Sequence, residues 1–274
     1  MLTILLLVIN VCVTGFGIYL FDYRVDELVN SPVVIILSLV SGTIIMLGIT
    51  SLNIEVFYQL VAKRMPIDSK LKHFLANQLL AIPLHATNTR IKVIGRENLP
   101  EDPGFSIYVN HTSLWDIPLL MYKLNDYPIA FLEKEVVVNL FSVGKWTPAL
   151  GCVTIDRDND RKGAESIINV IKNVKNGSSM VIFPEGTRGK ENGILLEFKP
   201  GSFKVALKSK APLVPMSIVK PKKYNKTIWP MPRRVTLVIH KPLEYEEFKM
   251  MKTVELSEKV ESIIKGPLNT IYND

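Results

Sequence analysis

Cysteine is scarce: Cys12 and Cys152 are the only two in 274 residues, and both stand among apolar neighbours. No disulfide framework and no metal-ligand spacing can be built from them, so no metal is expected and a reducing compartment fits. A Gly-x-Ser-x-Gly turn is missing as well, which removes the usual serine nucleophile of the hydrolases. No internal repeat and no low-complexity tract occurs. No basic stripe is interleaved with aromatic residues, so nucleic acid is not the expected partner.

Charge is absent from two long stretches, Leu2 to Phe21 and Val33 to Ile54. At about 1.5 Å per residue each is long enough to cross a hydrocarbon layer of roughly 30 Å. Asn30-Ser31-Pro32 supplies a turn between them. The first stretch lacks the basic start and small-residue cleavage site of a signal peptide. Together they read as an N-terminal hydrophobic helical hairpin, residues 1–62, either crossing a bilayer or lying in one leaflet. Lys63, Arg64, Lys70 and Lys72 follow it, and the positive-inside rule then puts the body, residues 63–274, on the cytoplasmic face.

The net charge is +7. Residues 1–61 hold one basic residue, Arg24, against Asp22, Asp26, Glu27 and Glu55, so the positive balance lies wholly in the body. A basic body on a bilayer favours anionic headgroups and phosphorylated substrates.

Beyond residue 88 the pattern alternates. Apolar runs predict strands at 91–95, 105–109, 128–132, 151–155, 179–183, 213–219 and 235–239. Helical periodicity predicts helices over 65–84, 114–124, 134–141, 201–209 and 254–264. The clearest helix is capped by Asp158-Asn159-Asp160, closed by Asn176-Gly177, and carries an apolar face of Ala164, Ile167, Ile168, Ile171 and Val174. Strands alternating with helices imply an α/β fold with a mostly parallel sheet flanked by helices.

Two strand ends deliver polar residues where such sheets form clefts. The first is Asn110-His111-Thr112-Ser113-Leu114-Trp115-Asp116. If the next helix begins only at Ser113, Asp116 turns back to hydrogen-bond His111 and fix its tautomer, leaving the other ring nitrogen free to take a proton. The same residues also fit a capping box, with Ser113 at the cap and Asp116 three positions on. The second end is Phe183-Pro184-Glu185-Gly186-Thr187-Arg188. There Arg188 offers a planar fork of donors suited to phosphate, and Glu185 can orient it. An ordinary strand-to-loop turn with a surface Glu–Arg pair explains it too. Thr154-Ile155-Asp156-Arg157 is a third strand end with a charged pair.

Taken together, these blocks resemble the glycerolipid acyltransferase family. The matching pieces are Asn110 to Asp116, Lys134-Glu135, Pro148 to Gly151, Ile155 to Arg157, Phe183 to Arg188 and Val214 to Ile218, in the family's order. Within it the chain looks most like the 1-acyl-glycerol-3-phosphate acyltransferases, which make phosphatidic acid. Val136 stands where that family usually has Leu, and Gly189 where it often has Ser.

The resemblance implies a membrane enzyme of phospholipid biosynthesis. His111, held by Asp116, would take the proton of the free hydroxyl of lysophosphatidic acid. Glu185, Gly186, Thr187 and Arg188 would hold the glycerol phosphate, with Lys134 and Arg157 as helpers. Acyl-CoA or acyl carrier protein would be co-substrate, and no cofactor is implied. Another acceptor (glycerol 3-phosphate or a lysophospholipid), a lipid hydrolase and a lipid-binding module without turnover are the competing classes.

Overall fold

The computed structural model describes residue 12 and residues 32–60, 62–134, 143–156, 159–189, 194–221, 224–226 and 231–272. The chain divides into two compact units, residues 1–65 and 66–274.

In the first unit, helix α1 (Pro32–Leu60) covers the second charge-free run. Ile36, Leu37, Val40, Ile44, Ile45 and Leu52 on it are all exposed. No helix qualifies as a membrane span on its described residues alone. The first arm of the expected hairpin and its charged connector lie outside the described residues, apart from Cys12.

The second unit is built on a seven-stranded sheet: β1 (Thr89–Ile94), β2 (Ser106–Val109), β3 (Ile129–Lys134), β4 (Val153–Ile155), β5 (Ser179–Ile182), β6 (Leu213–Val219) and β7 (Arg233–Ile239). Their spatial order is β1-β7-β6-β2-β5-β3-β4. Every neighbouring pair is parallel except β6–β7. The three central strands, β6, β2 and β5, are buried at every position. That is why their sequences are apolar runs broken only by the buried Ser106, Ser179 and Ser217, while the outer strand β1 alternates with Arg90 and Lys92 exposed.

The helices are α2 (Lys70–Ala86), α3 (Asp116–Lys123), α4 (Val143–Ala149), α5 (Asp160–Lys175), α6 (Lys204–Ser209), α7 (Tyr245–Phe248) and α8 (Thr253–Tyr272). One core layer packs Tyr108, Met180 and Ile182 of the sheet against Val170 and Val174 of α5, Val205 and Ala206 of α6, and Leu256, Val260 and Ile264 of α8. Ile107, Val109, Phe131 and Val181 alternate onto the other face and are equally buried.

Local chemistry sets the helix ends. Asn159 caps α5 by accepting the Lys162 N–H at 3.1 Å, a contact worth about 1 kcal/mol. Gly177 ends that helix with φ +89°, and Ser69 caps α2. The expected stripe on α5 is rotated: Val170 is buried, whereas Ile168 is 51% exposed. α2 starts at Lys70, not residue 65, and α8 runs past residue 264 to Tyr272. Lys134, expected to open a helix, instead ends β3. The rest of that expected helix, up to residue 141, lies outside the described residues.

Candidate active site

Because β2, β5 and β6 are adjacent and parallel, their carboxyl ends open on one edge. Asn110 finishes β2 by extending its pairing with a side chain. Its Nδ2 donates to the Ile218 carbonyl at 3.0 Å, and its Oδ1 accepts the Ile218 N–H at 2.7 Å. The loop that follows is thereby tied to β6 before it leaves the sheet.

His111 is next. Its Nδ1 donates to Asp116 Oδ2 at 3.0 Å. The same oxygen accepts the N–H groups of Thr112 and Ser113 at 2.7 and 2.8 Å. Helix α3 begins only at Asp116, so the chain does turn back. The expected capping box does not form, since Asp116 opens the helix and Trp115 at the cap makes no side-chain bond; instead one Asp116 oxygen closes the loop and orients the ring. The other, Oδ1, meets Lys220 Nζ at 2.5 Å, and that ammonium also reaches Thr112 Oγ1 at 2.6 Å. Burial alone would push the Asp116 carboxyl up. The His111 hydrogen bond and the Lys220 charge outweigh it and hold the group below the usual carboxylate range.

The Phe183 ring stacks on the imidazole, with centroids 4.0 Å apart. Glu185 Oε1 accepts the His111 backbone N–H at 2.7 Å, and its Oε2 accepts the Leu196 N–H at 2.9 Å. Glu185 is therefore a buried brace between loops. Burial pushes its carboxyl up to about 7, against the pull of those two N–H groups. Gly189 N–H donates to the His111 carbonyl at 2.8 Å. Gly186 has φ +70°, and a Cβ there would come within 2.9 Å of the Lys199 side chain; both explain glycine at that turn.

Thr187 and Arg188 are exposed beside this contact. Arg188 directly precedes the residue bonded to His111, and among the described residues its guanidinium has no ion-pair partner. Lys134 is exposed at the tip of β3, two strands from β2, roughly 10 Å away at ordinary strand spacing. Arg157 lies outside the described residues. So His111, Asp116, Glu185 and Gly186 are brought together, with Thr187 and Arg188 at the rim and Lys134 further along the edge.

Lys220 went unnoticed in the sequence. Its signal was like the one used for His111: a polar residue just past a largely apolar strand. A serine–histidine contact elsewhere, Ser217 Oγ to His240 Nε2 at 2.9 Å, is structural. Ser217 is fully buried and donates its own proton to the Ile264 carbonyl, so it is no nucleophile. A groove of about 570 Å³ is lined by Leu132, Ile167, Ile171 and Ile182, with Phe183 and Gly186 and with Lys199, Lys204 and Lys208.

A model of the Acyltransferase family matches residues 90–219, a span that holds the whole His111–Asp116–Glu185 arrangement. The 1-acyl-sn-glycerol-3-phosphate acyltransferase of Bacillus subtilis is 30% identical over 165 residues, covering 60% of this chain and 79% of that protein. The chloroplastic enzyme LPAT1 of Arabidopsis thaliana, with the same activity in its name, is 30% identical over 188 residues, 65% of this chain and 50% of that protein. The crystal structure of the 1-acyl-sn-glycerophosphate acyltransferase PlsC from Thermotoga maritima superimposes with a TM-score of 0.63. It is 25% identical and covers 82% of this chain and 95% of that one. The chain belongs to the acyltransferase family. Within it, the chain stands with the proteins named 1-acyl-sn-glycerol-3-phosphate acyltransferases.

Proposed function

We propose that the chain transfers an acyl group from an acyl thioester, on coenzyme A or acyl carrier protein, to the free hydroxyl of 1-acyl-glycerol 3-phosphate, giving phosphatidic acid. The observation that carries this is the His111–Asp116 pair. The ring is held at Nδ1 by a buried carboxylate, and Nε2 makes no hydrogen bond among the described residues. Nε2 takes the proton of the acceptor hydroxyl as its oxygen attacks the thioester carbonyl. The tetrahedral adduct collapses, the carbon–sulfur bond breaks, and the thiolate leaves with the proton that His111 carried. Thiolates leave readily, so neither a covalent enzyme intermediate nor a cofactor is required.

Arg188, exposed and unpaired among the described residues, supplies a bidentate fork for the acceptor phosphate, with Thr187 beside it. Lys134 adds positive charge along the same edge, and Arg157 is assigned a helping charge from its sequence match alone. The groove that Phe183 and Gly186 help to line, with Leu132, Ile167, Ile171 and Ile182, receives an acyl chain. A helix apolar on all its described sides, as α1 is, belongs in lipid. On this reading residues 1–62 form a hairpin anchor, and the catalytic body lies on the cytoplasmic face, where both lipid substrate and product reside. Thiol release from acyl-CoA, measured with a panel of acceptors, tests the proposal. Lysophosphatidic acid should be used best. No release with any acceptor removes the enzyme reading, and preference for glycerol 3-phosphate or a neutral lysophospholipid replaces the acceptor.

A further inference from the structure

Lysine is almost never fully buried unless it is paired. Lys220 is 2% exposed and directly follows β6, which is buried at every position. β6 runs beside β2 in parallel, so the residue after its last position emerges at the His111 loop. There its ammonium meets Asp116 Oδ1 and Thr112 Oγ1. One carboxylate with no exposed surface thus serves two side chains on two oxygens, Lys220 on Oδ1 and the His111 ring on Oδ2, besides the Thr112 and Ser113 N–H groups on Oδ2.

We propose that Lys220 is a positioning residue of the acyl-transfer site, acting through Asp116: its charge balances the carboxylate, so that His111 is oriented without being driven into its charged form. The proposal rests on the reading of His111 as the base. A general base must start neutral. A buried carboxylate with no other counter-charge would draw a proton onto the imidazole at its side, because imidazolium would be its nearest neutraliser. Lys220 removes that demand. Thr112 holds the ammonium on the Oδ1 side, and the Tyr224 ring lies 5.4 Å from it. The other charged or titratable groups here are Arg233, from β7, across the same Tyr224 ring, and Glu185, which braces the His111 backbone from the β5 side.

The test uses the full chain in lipid–detergent micelles, with the variants Lys220→Met, Lys220→Arg and the double variant Asp116→Asn/Lys220→Met. Two quantities are followed against pH: kcat/KM for acyl transfer, and the ring signal of His111, assigned by its loss in His111→Gln. In Lys220→Met the acid limb of kcat/KM and the ring titration both move upward by about one pH unit, the size expected for losing one charge roughly 5 Å away at an effective dielectric between 20 and 80. That is about a tenfold loss on the acid side and little loss above it. Lys220→Arg keeps the wild-type limb. The displacement persists in a Glu185→Gln background, which separates it from titration of Glu185.

An unmoved ring signal, or an equal loss at every pH, overturns the proposal. Should Lys220→Met fail to fold, the double variant decides. It removes both charges, so its folding supports the counter-charge role and its failure to fold overturns it. If the wild type transfers no acyl group, the functional reading falls, while the ring titration still tests the Lys220–Asp116–His111 linkage.

Discussion

Glu185 makes a stability prediction that can be worked through. Its carboxyl is buried and pushed up to about 7, against 4.5 for the ordinary group. Between those values the folded chain binds a proton that the unfolded chain has released. Stability from this group is therefore full below pH 4.5 and is lost as pH rises through 7. Integrating that difference from pH 8 down to pH 5 yields about 2.5 kcal/mol in favour of the folded state. Glu133, also buried and pushed up to about 7, acts in the same direction. His73 and His240 are held low by burial and act in the opposite direction as pH falls below their ordinary range. The wild-type curve is thus a mixture, and only a difference isolates residue 185. Glu185→Gln keeps the shape and removes the titration. Glutamine has one acceptor oxygen in place of two, so either His111 N–H or Leu196 N–H loses its partner; that penalty is independent of pH and cancels in the comparison. Urea unfolding followed at pH 5, 6, 7 and 8 should show the wild type gaining about 2.5 kcal/mol on the variant between pH 8 and pH 5. A constant gap between the two proteins across that range refutes the reasoning.

Three other substitutions probe the same edge. His111→Ala should lower turnover by about 10²–10⁴ with the thermal unfolding midpoint nearly unchanged; near-normal transfer removes it as the base. Arg188→Ala should raise KM for a phosphorylated acceptor by about tenfold or more and leave a neutral one little affected, and equal loss for both would separate Arg188 from the phosphate. Asn110→Leu should destabilise the chain by about 3 kcal/mol, because the buried N–H and C=O of Ile218 both lose their partner; a change under about 1 kcal/mol in urea would show that the tie to β6 is dispensable.

Much of this geometry was legible in the chain because burial writes itself into strands. A strand buried on both faces is mostly apolar, so β2, β5 and β6 announced themselves, and the polar residues after β2 and β5 marked an edge. The His111–Asp116 contact was legible for a similar reason, since a five-residue spacing closes only if the helix starts late. What was hidden is what depends on distant partners. Lys220 and Asp116 are 104 residues apart, and a lone lysine after a strand has no spacing to betray it. Glu185 read as holding the phosphorylated acceptor only through the family resemblance, and two distant backbone N–H groups occupy its carboxylate. Lys134 read as the start of a helix, whereas the ladder between β3 and β4 reaches Lys134 opposite Ile155, a pairing that local sequence does not show.

The arrangement also explains why so many residues are spent on one imidazole. His111 sits on a loop, where backbone freedom is greatest, yet a base must be held within hydrogen-bond reach of the hydroxyl it serves. Four contacts remove that freedom. Its N–H is taken by Glu185, its carbonyl by Gly189, its Nδ1 by Asp116 and its ring face by Phe183. Those contacts come from two sides, α3 and the loop after β5, while Asn110 anchors the base of the loop to β6. A shift of either neighbouring strand would therefore move the ring, whereas a shift of a single side chain would be resisted by the other three contacts. Parallel neighbours achieve this because their carboxyl ends arrive together, spaced by one strand each, however far apart they lie in the chain.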